Sequence, residues 1–485
     1  MPATPAITLL GLGPGGPDLL TRRAWQVLES ASEVWLRTAQ HPAVAGLPEN
    51  IAVQSFDSYY EEEDDFVVVY ERIVAEVLRL AERPGGVVYA VPGHPLVAEA
   101  TGSEILRRAL ENGLTVEVVE GLSFLEPTWT ALTADPLPHT SIVDALDLMT
   151  AHHPPFPPSY PALIAQVHSN FVAGEVKITL MALYPDEHPV RLVHAAGTPQ
   201  QLVEDLPLHA IDQSAHTGLL TSLYLPPLAA NTAFEDFQEL IAHLRAPEGC
   251  PWDREQDHQT LRPNLMEEAF EALAAIDADD PAALREELGD LLLQIVLHAQ
   301  IAAEYGEFNM SDILLGIHTK LVRRHPHVFG DADIKDAEKV IQNWEKLKEQ
   351  ERKANGEKVK GLLDGIPVAM PALAVADAYQ KRAARVGFEW PEIRGVWDKL
   401  DEELAELKAA QTPEHVAEEM GDVLFVVANL ARWLKVDPET ALRQTNAKFS
   451  TRFAAIEAEA RRQNRELSSM SLEEMDAVWN KAKGR

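Results

Sequence analysis

The sequence predicts a multidomain protein, an N-terminal α/β half followed by an all-α half. At 485 residues the chain exceeds what one hydrophobic core organises. Up to about residue 225, short β-type runs ("AITLLGLG", "GGVVYAVPG", "LTVEVVEG", "VKITLMALYP", "GLLTSLYLP") alternate with helical segments, the α/β pattern. After "LPPLAANTAF" those runs stop and long amphipathic segments take over. Lysine usage shifts as well: Lys177 is the only lysine before Lys320, beyond which lysines are frequent. The boundary is expected near Pro226–Asn231.

Composition narrows the function classes. With 46% hydrophobic and 24% charged residues the chain is globular, and its net charge of −34 argues against a general binder of nucleic acid or anionic membranes. An acidic enzyme still accepts an anionic substrate when metal ions stand between the two. The single cysteine, Cys250, excludes an internal disulfide and a cysteine-based zinc site, and suits a reducing cytoplasm. The start "MPATPAITLLGLGPGG" lacks a basic region followed by an apolar stretch, so no secretory signal is expected. No apolar run reaches the ~20 residues that span a bilayer.

In the α/β half, "ITLLGLGPGGPDLLTRRAWQVL" predicts a strand, a glycine-rich turn and a helix. Gly11, Gly13 and Gly16 satisfy G-x-G-x-x-G, a general dinucleotide signal. Two features speak against a nicotinamide site. Pro14 and Pro17 stiffen the turn, and the next strand-like run, "EVWLRT", ends at Thr38 without a ribose-binding acid.

The helical half carries paired carboxylates. "EELAELKAAQTPEHVAEEMGDVLF", from Glu402 to Phe425, spaces Glu403 and Glu406 three apart, then Glu419 and Asp422 three apart. Residues so spaced lie roughly 60° apart around a helix and about 4.5 Å along it, so each pair aims at one point. A solvated acidic face is the bland alternative. Against it, Glu419 immediately precedes and Asp422 interrupts "MGDVLFVVANLARWL", which reads as a buried helix, and a buried carboxylate needs a partner. Upstream, "EEAFEALAAIDADDPAALREELGDLLLQ" repeats the arrangement with Glu268, Glu271, Glu287 and Asp290. Downstream of each box stand a Lys-x-x-x-Arg pair and then a tryptophan: Lys320, Arg324 and Trp344 in one copy, Lys448, Arg452 and Trp479 in the other. The same set twice in order is an internal repeat, running to roughly 350 and from about 360 to the end.

Four carboxylates from two antiparallel helices form a hard oxygen set suited to Mg²⁺. Lys and Arg add donors for phosphate oxygens, and a Trp can stack on a base. Together they describe a nucleoside triphosphate site in which metal ions activate water and stabilise the leaving phosphates. Singly, Lys448 and Arg452 would also serve as a solvated face and Trp479 as a packing residue.

From about residue 232 onward the chain resembles the MazG family of nucleoside triphosphate pyrophosphohydrolases. The matching segments include "GCPWDREQDHQTLRPNLMEEAFEAL", "HPHVFGD", "LLDGIPVAMPALAVADAYQKRAARVGF" and "EEMGDVLFVVANLARWLKVDPETALR". The resemblance implies Mg²⁺-dependent hydrolysis of NTP to NMP and pyrophosphate in a homodimer of helical units. It implies metal ligands at Glu403, Glu406, Glu419 and Asp422, and in the first repeat at Glu268, Glu271, Glu287 and Asp290. It also implies nucleotide contacts at Lys399, Glu402, Lys448, Arg452 and Trp479, with Lys399 acting in catalysis beside the four carboxylates of the second box. Aligning Glu403 with Glu268 sets Lys399 opposite Asn264, so the first box lacks a cation that the second keeps. The second repeat is therefore expected to carry most of the catalysis.

"GLGPGGPDLLT", "VVYAVPGHPLVAEAT" and "VEVVEGLSFLEPTW" resemble, in order, the signature turns of the tetrapyrrole (class III) methylases over about residues 5–225. The resemblance implies two α/β subdomains with S-adenosylmethionine between them. Gly11, Gly13, Pro14 and Gly15 would form the first turn; Pro92, Gly93, His94 and Pro95 would line the cleft; Gly121 and Ser123 would lie on a third loop. His94 stands where many of those methylases carry Asp. The fusion as a whole resembles the YabN type, with expected domains at 1–225, 226–350 and 351–485. Two other readings stay open: a methyltransferase whose helical half senses nucleotides or dimerises, and a regulatory protein that binds nucleotides without turnover. Two carboxylate boxes favour the hydrolase, because a sensor does not need four metal ligands in each repeat.

Overall fold

The computed structural model describes residues 5–63, 65–332, 334, 336, 339–340, 343–344, 347–348, 351, 361–367 and 369–484. It resolves into two compact units, Met1–Leu240 and Ile241–Arg485.

The first unit holds two sheets of five strands. β1 (Ile7–Gly11), β2 (Glu33–Leu36), β3 (Ala52–Ser55), β4 (Val87–Val91) and β5 (Val116–Val119) form a parallel sheet in the order β3-β2-β4-β1-β5. β1 is buried along its whole length, which is why it reads as an unbroken apolar run. Alternate side chains serve opposite faces. Ile7 and Leu9 pack with Tyr89 beneath helices α2 (Phe66–Ala81) and α3 (Ala100–Glu111), which contribute Ile73, Val77 and Ile105. Leu10 packs on the other face with Leu36, Ala90 and Leu28 of α1 (Arg22–Ser30), a helix capped by the Thr21 hydroxyl accepting from Ala24 N–H at 3.1 Å.

The second sheet is mixed, in the order β6-β7-β10-β8-β9: β6 (Ser141–Asp144), β7 (Ala162–Ala165), β8 (Pro189–His194), β9 (Leu202–Pro207) and β10 (Thr221–Leu225). Only β6 and β7 pair parallel; β10 runs antiparallel to both of its neighbours. Helix α4 (Leu125–Leu132) leads from the first sheet toward it, and α5 (Asn170–Met181) packs Val172, Val176 and Leu180 against Ile164, Leu192 and Leu223.

Helix α6 (Phe234–Arg245) leads into the helical unit. There α7 (Arg262–Asp277) and α8 (Pro281–Glu304) form one antiparallel hairpin, and α11 (Ile393–Ala409) and α12 (Pro413–Trp433) form the other. Between them lie α9 (Met310–Arg324) and α10 (Ala372–Arg385); α13 (Pro438–Arg462) and α14 (Leu472–Lys483) follow. Asp280, Thr412 and Asp437 each cap a helix that opens on proline, whose missing N–H costs nothing there. The expected seam at 350/351 falls where Glu351 is described but 349–350 and 352–360 lie outside the described residues.

One expectation needs correcting. α12 is not buried on most sides. Val423, Val426, Ala428 and Leu430 face inward, with Val426 and Leu430 against Val396 of α11, while Met420, Leu424, Phe425 and Val427 are 40–50% exposed. α12 packs against α11 and α10, and these contacts leave its remaining stripe uncovered. Asp422 lies on the exposed side. On α8, Leu288, Leu292 and Ile295 are likewise exposed.

Candidate active site

The α11–α12 hairpin brings three of the four second-box carboxylates together. Glu403, Glu406 and Glu419 each offer an oxygen within 4.8 Å of the others. Glu403 and Glu419 are only 5% and 8% exposed, whereas Glu406 is open to solvent. Asp422 lies outside this cluster. Lys399, one turn before Glu403, reaches both Glu402 and Glu403 at 2.8 Å, and these partners hold its ammonium well above the ordinary lysine value. His415 Nε2 lies 2.9 Å from Glu419 Oε1, while Glu419 Oε2 is buried without a partner. Lost solvation, then the charges of Glu419 and Glu403, raise Glu406 above the ordinary carboxylate range. Converging carboxylates with one buried oxygen unsatisfied suit a hard cation such as Mg²⁺. His415 escaped the sequence reading, although its i,i+4 spacing to Glu419 was available as a signal.

In the first box Glu268, Glu287 and Asp290 converge within 4.8 Å, all half-buried, and exposed Glu271 lies outside the cluster. Glu268 is raised by lost solvation and by Asp290 and Glu271, and Glu287 by lost solvation and Glu271. The charge of Glu271 therefore still reaches its neighbours.

Lys448, Arg452 and Trp479 sit on the α13–α14 pair. Arg452 Cζ stands 5.4 Å from the centroid of the Trp479 ring, and Phe449 packs edge-on at 5.1 Å. Lys448 is exposed. The first repeat shows the same feature, with Arg324 Cζ 5.7 Å from the Trp344 ring centroid.

In the α/β unit the signature turns meet at the C-terminal ends of β1, β4 and β5. Gly13 N–H donates to the Gly93 carbonyl at 3.1 Å, and Gly93 N–H returns the bond to Gly13 at 2.7 Å. A Cβ on Gly11 would lie 2.6 Å from the Gly93 oxygen and Gly121 nitrogen, so only glycine fits this junction. Gly15 approaches the Gly197 carbonyl as closely. Beside the junction opens a cavity of about 210 Å³ lined by Pro14, Pro92 and Gly93. His94 does not line it; its Nδ1 accepts from Leu96 N–H at 3.1 Å, a turn-capping role that an Asp carboxylate also fills. Pro95 is buried, and Ser123 is occupied in bonding Glu126 at 2.6 Å.

Several cavity residues were invisible to motif reading: Arg37, His41, Glu99, Gln166 and Ser222. Arg37 pairs with buried Glu99, which also accepts from Thr101 N–H. Burial works against the Arg37 charge, but Glu99 holds the guanidinium above its ordinary value. Burial pushes His41 down to about 4 from 6.5. A histidine depressed in the folded state contributes stability that is complete above 6.5 and lost as pH falls toward about 4. By linkage the loss is about 3 kcal/mol. Denaturant unfolding of the α/β unit should show this decline between pH 7 and pH 4, and His41→Asn, which keeps an acceptor for Ala43 N–H, should flatten it. Parallel curves for the two proteins would assign the decline elsewhere.

A model of the MazG nucleotide pyrophosphohydrolase domain matches residues 256–329 and 399–455, and one of the tetrapyrrole (corrin/porphyrin) methylases matches residues 6–212. The uncharacterized protein YabN of Bacillus subtilis is 41% identical over 98% of each chain. The nucleoside triphosphate pyrophosphohydrolase/pyrophosphatase MazG of Thermotoga maritima is 44% identical over 53% of this chain and 97% of its own. The nucleoside triphosphate pyrophosphohydrolase of Escherichia coli is 42% identical over 50% of this chain and 94% of its own.

Proposed function

Because the chain belongs to the YabN family, a methylase-like α/β domain joined to MazG helical repeats, we propose that it hydrolyses nucleoside triphosphates to NMP and pyrophosphate in a Mg²⁺-dependent reaction. The observation that carries this reading is the second box, where buried Glu403 and Glu419 converge with Glu406 and one Glu419 oxygen has no partner. Glu403, Glu406 and Glu419 would hold the metal, and Asp422 stands one turn beyond Glu419 on its helix. The chemistry that Mg²⁺ supplies in such a site is activation of water and neutralisation of charge developing on the leaving phosphates. Lys399 donates to phosphate oxygens in exchange for part of its contact with Glu402 and Glu403. Glu402, Lys448 and Arg452 fix the nucleotide, and Trp479 offers its ring to the base. A water oxygen bonds to the α-phosphorus as the bond to the bridging oxygen breaks, releasing NMP and pyrophosphate.

Incubation with a panel of NTPs and Mg²⁺ should give NMP and pyrophosphate. EDTA should abolish turnover and added Mg²⁺ should restore it. Release of NDP and orthophosphate would overturn the assignment.

The exposed apolar residues of α8 and α12 favour assembly as a homodimer through the helical half. We assign residues 1–225 to the methylase-like domain and 226–350 and 351–485 to the two repeats. The single cysteine favours the cytoplasm, and among the described residues no helix is long and apolar enough to cross a membrane. The cavity beside Gly11, Gly93 and Gly121 favours a second binding function for the α/β unit. It takes S-adenosylmethionine, with Pro14, Pro92 and Gly93 at its wall. Calorimetry on the full chain should register one S-adenosylhomocysteine per chain. No heat at millimolar ligand would mean that the cavity does not receive this cofactor.

A further inference from the structure

We propose that the first helical repeat is a second nucleotide-binding site, built on Trp344, which holds a nucleoside triphosphate without matching the turnover of the second repeat. The inference rests on the NTP reading of the second repeat. Both repeats place an arginine, four residues after a lysine, over a tryptophan: Arg324 Cζ lies 5.7 Å from the Trp344 centroid, and Arg452 Cζ lies 5.4 Å from that of Trp479. Around the first tryptophan stand a further cation and a titratable ring, and Lys483 holds the position of Lys348 in the second repeat. Lys348 Nζ stands 4.6 Å from the Trp344 centroid, and the ring of His325 is 5.9 Å away. The second repeat has Phe449 against its tryptophan instead.

Three details point to an anionic, aromatic ligand. The guanidinium groups of Arg323 and Arg324 both reach the Glu351 carboxylate at 2.6 Å. An acid clamped between two arginines marks a position that phosphate oxygens also fit. Among the described residues, Trp344 Nε1 and His327 Nδ1 are buried without hydrogen-bond partners, so the cluster contains two polar atoms left to satisfy. The repeat also keeps a metal-capable group, Glu268, Glu287 and Asp290. It lacks a counterpart of Lys399, since Asn264 stands there, and this removes one phosphate donor needed for turnover. If Trp344 were only a packing residue, the chain would bind a single nucleotide.

Equilibrium dialysis of the full chain with Mg²⁺ and α,β-methylene NTP analogues, which resist cleavage at the scissile position, tests the proposal. Two analogues per chain are expected. Trp344→Ala should reduce the number to one, and Trp344→Phe, which keeps an aromatic face, should restore two. Arg324→Gln, an independent variant, should weaken one of the two sites about tenfold. One analogue per chain in the unaltered protein, or two persisting in a folded Trp344→Ala, would overturn the second site while NMP release left the hydrolase reading intact. No binding together with no NMP release would overturn both.

Discussion

Glu419→Gln should lower kcat/KM for NTP hydrolysis on the order of 10²-fold or more, with the helical content unchanged by circular dichroism. The substitution keeps the volume and removes one formal charge from the group formed with Glu403 and Glu406. It acts on a side chain only 8% exposed whose Oε2 has no protein partner, so the lost interaction is the one that a cation would make there. An amide also presents donor hydrogens where a metal requires lone pairs. Glu287→Gln makes the equivalent change in the first box, beside Asn264 instead of a lysine, and should cost much less. Asp422→Asn tests a different point. Its carboxylate is exposed and outside the cluster, so a loss as large as that of Glu419→Gln would show that substrate draws Asp422 into the metal shell. Should the first-box variant lose activity and the second-box variant keep it, the two repeats have the opposite roles. Equal losses would mean that both boxes work, or that one composite site uses both.

Gly121→Ala should destabilise the α/β unit by about 1–3 kcal/mol and abolish S-adenosylhomocysteine binding. The added methyl would lie 2.3 Å from the Gly93 carbonyl oxygen and 2.9 Å from Gly11 Cα and C. These neighbours are backbone atoms at the ends of β1 and just beyond β4, held by the reciprocal Gly13–Gly93 hydrogen bonds, so no side chain can swing aside. Separating the turns would also reshape the cavity wall at Pro14, Pro92 and Gly93. For a unit of this size the loss corresponds to a fall of several degrees, roughly 2–4 °C per kcal/mol, in scanning calorimetry. Gly218→Ala is the control, since a methyl there meets nothing within 4 Å, and it should stay within about 0.5 kcal/mol of the parent. Identical melting for the two variants would show that the glycine junction opens at little cost.

Local spacing by itself determined much of this protein. The three-residue separation of Glu403 and Glu406 is already a geometric statement on a helix, because covalent connectivity and the helical period fix the angle between them. The glycine turns after β1 and β4 were legible for the same reason. Tertiary structure alone decided which carboxylates converge. Glu271 and Asp422 obey the same spacing as their neighbours, yet the way each hairpin packs leaves them outside the clusters. Arg37, Glu99, His41 and Gln166 share a cavity because β4 lies between β1 and β2 and the second sheet supplies the opposite wall. Strand order is a long-range choice made by burial and chain crossover, and no spacing along the chain encodes it. The exposed apolar faces of α8 and α12 follow the same logic, since the helical period shows that a stripe is apolar but only packing decides which stripes of a two-faced helix are covered.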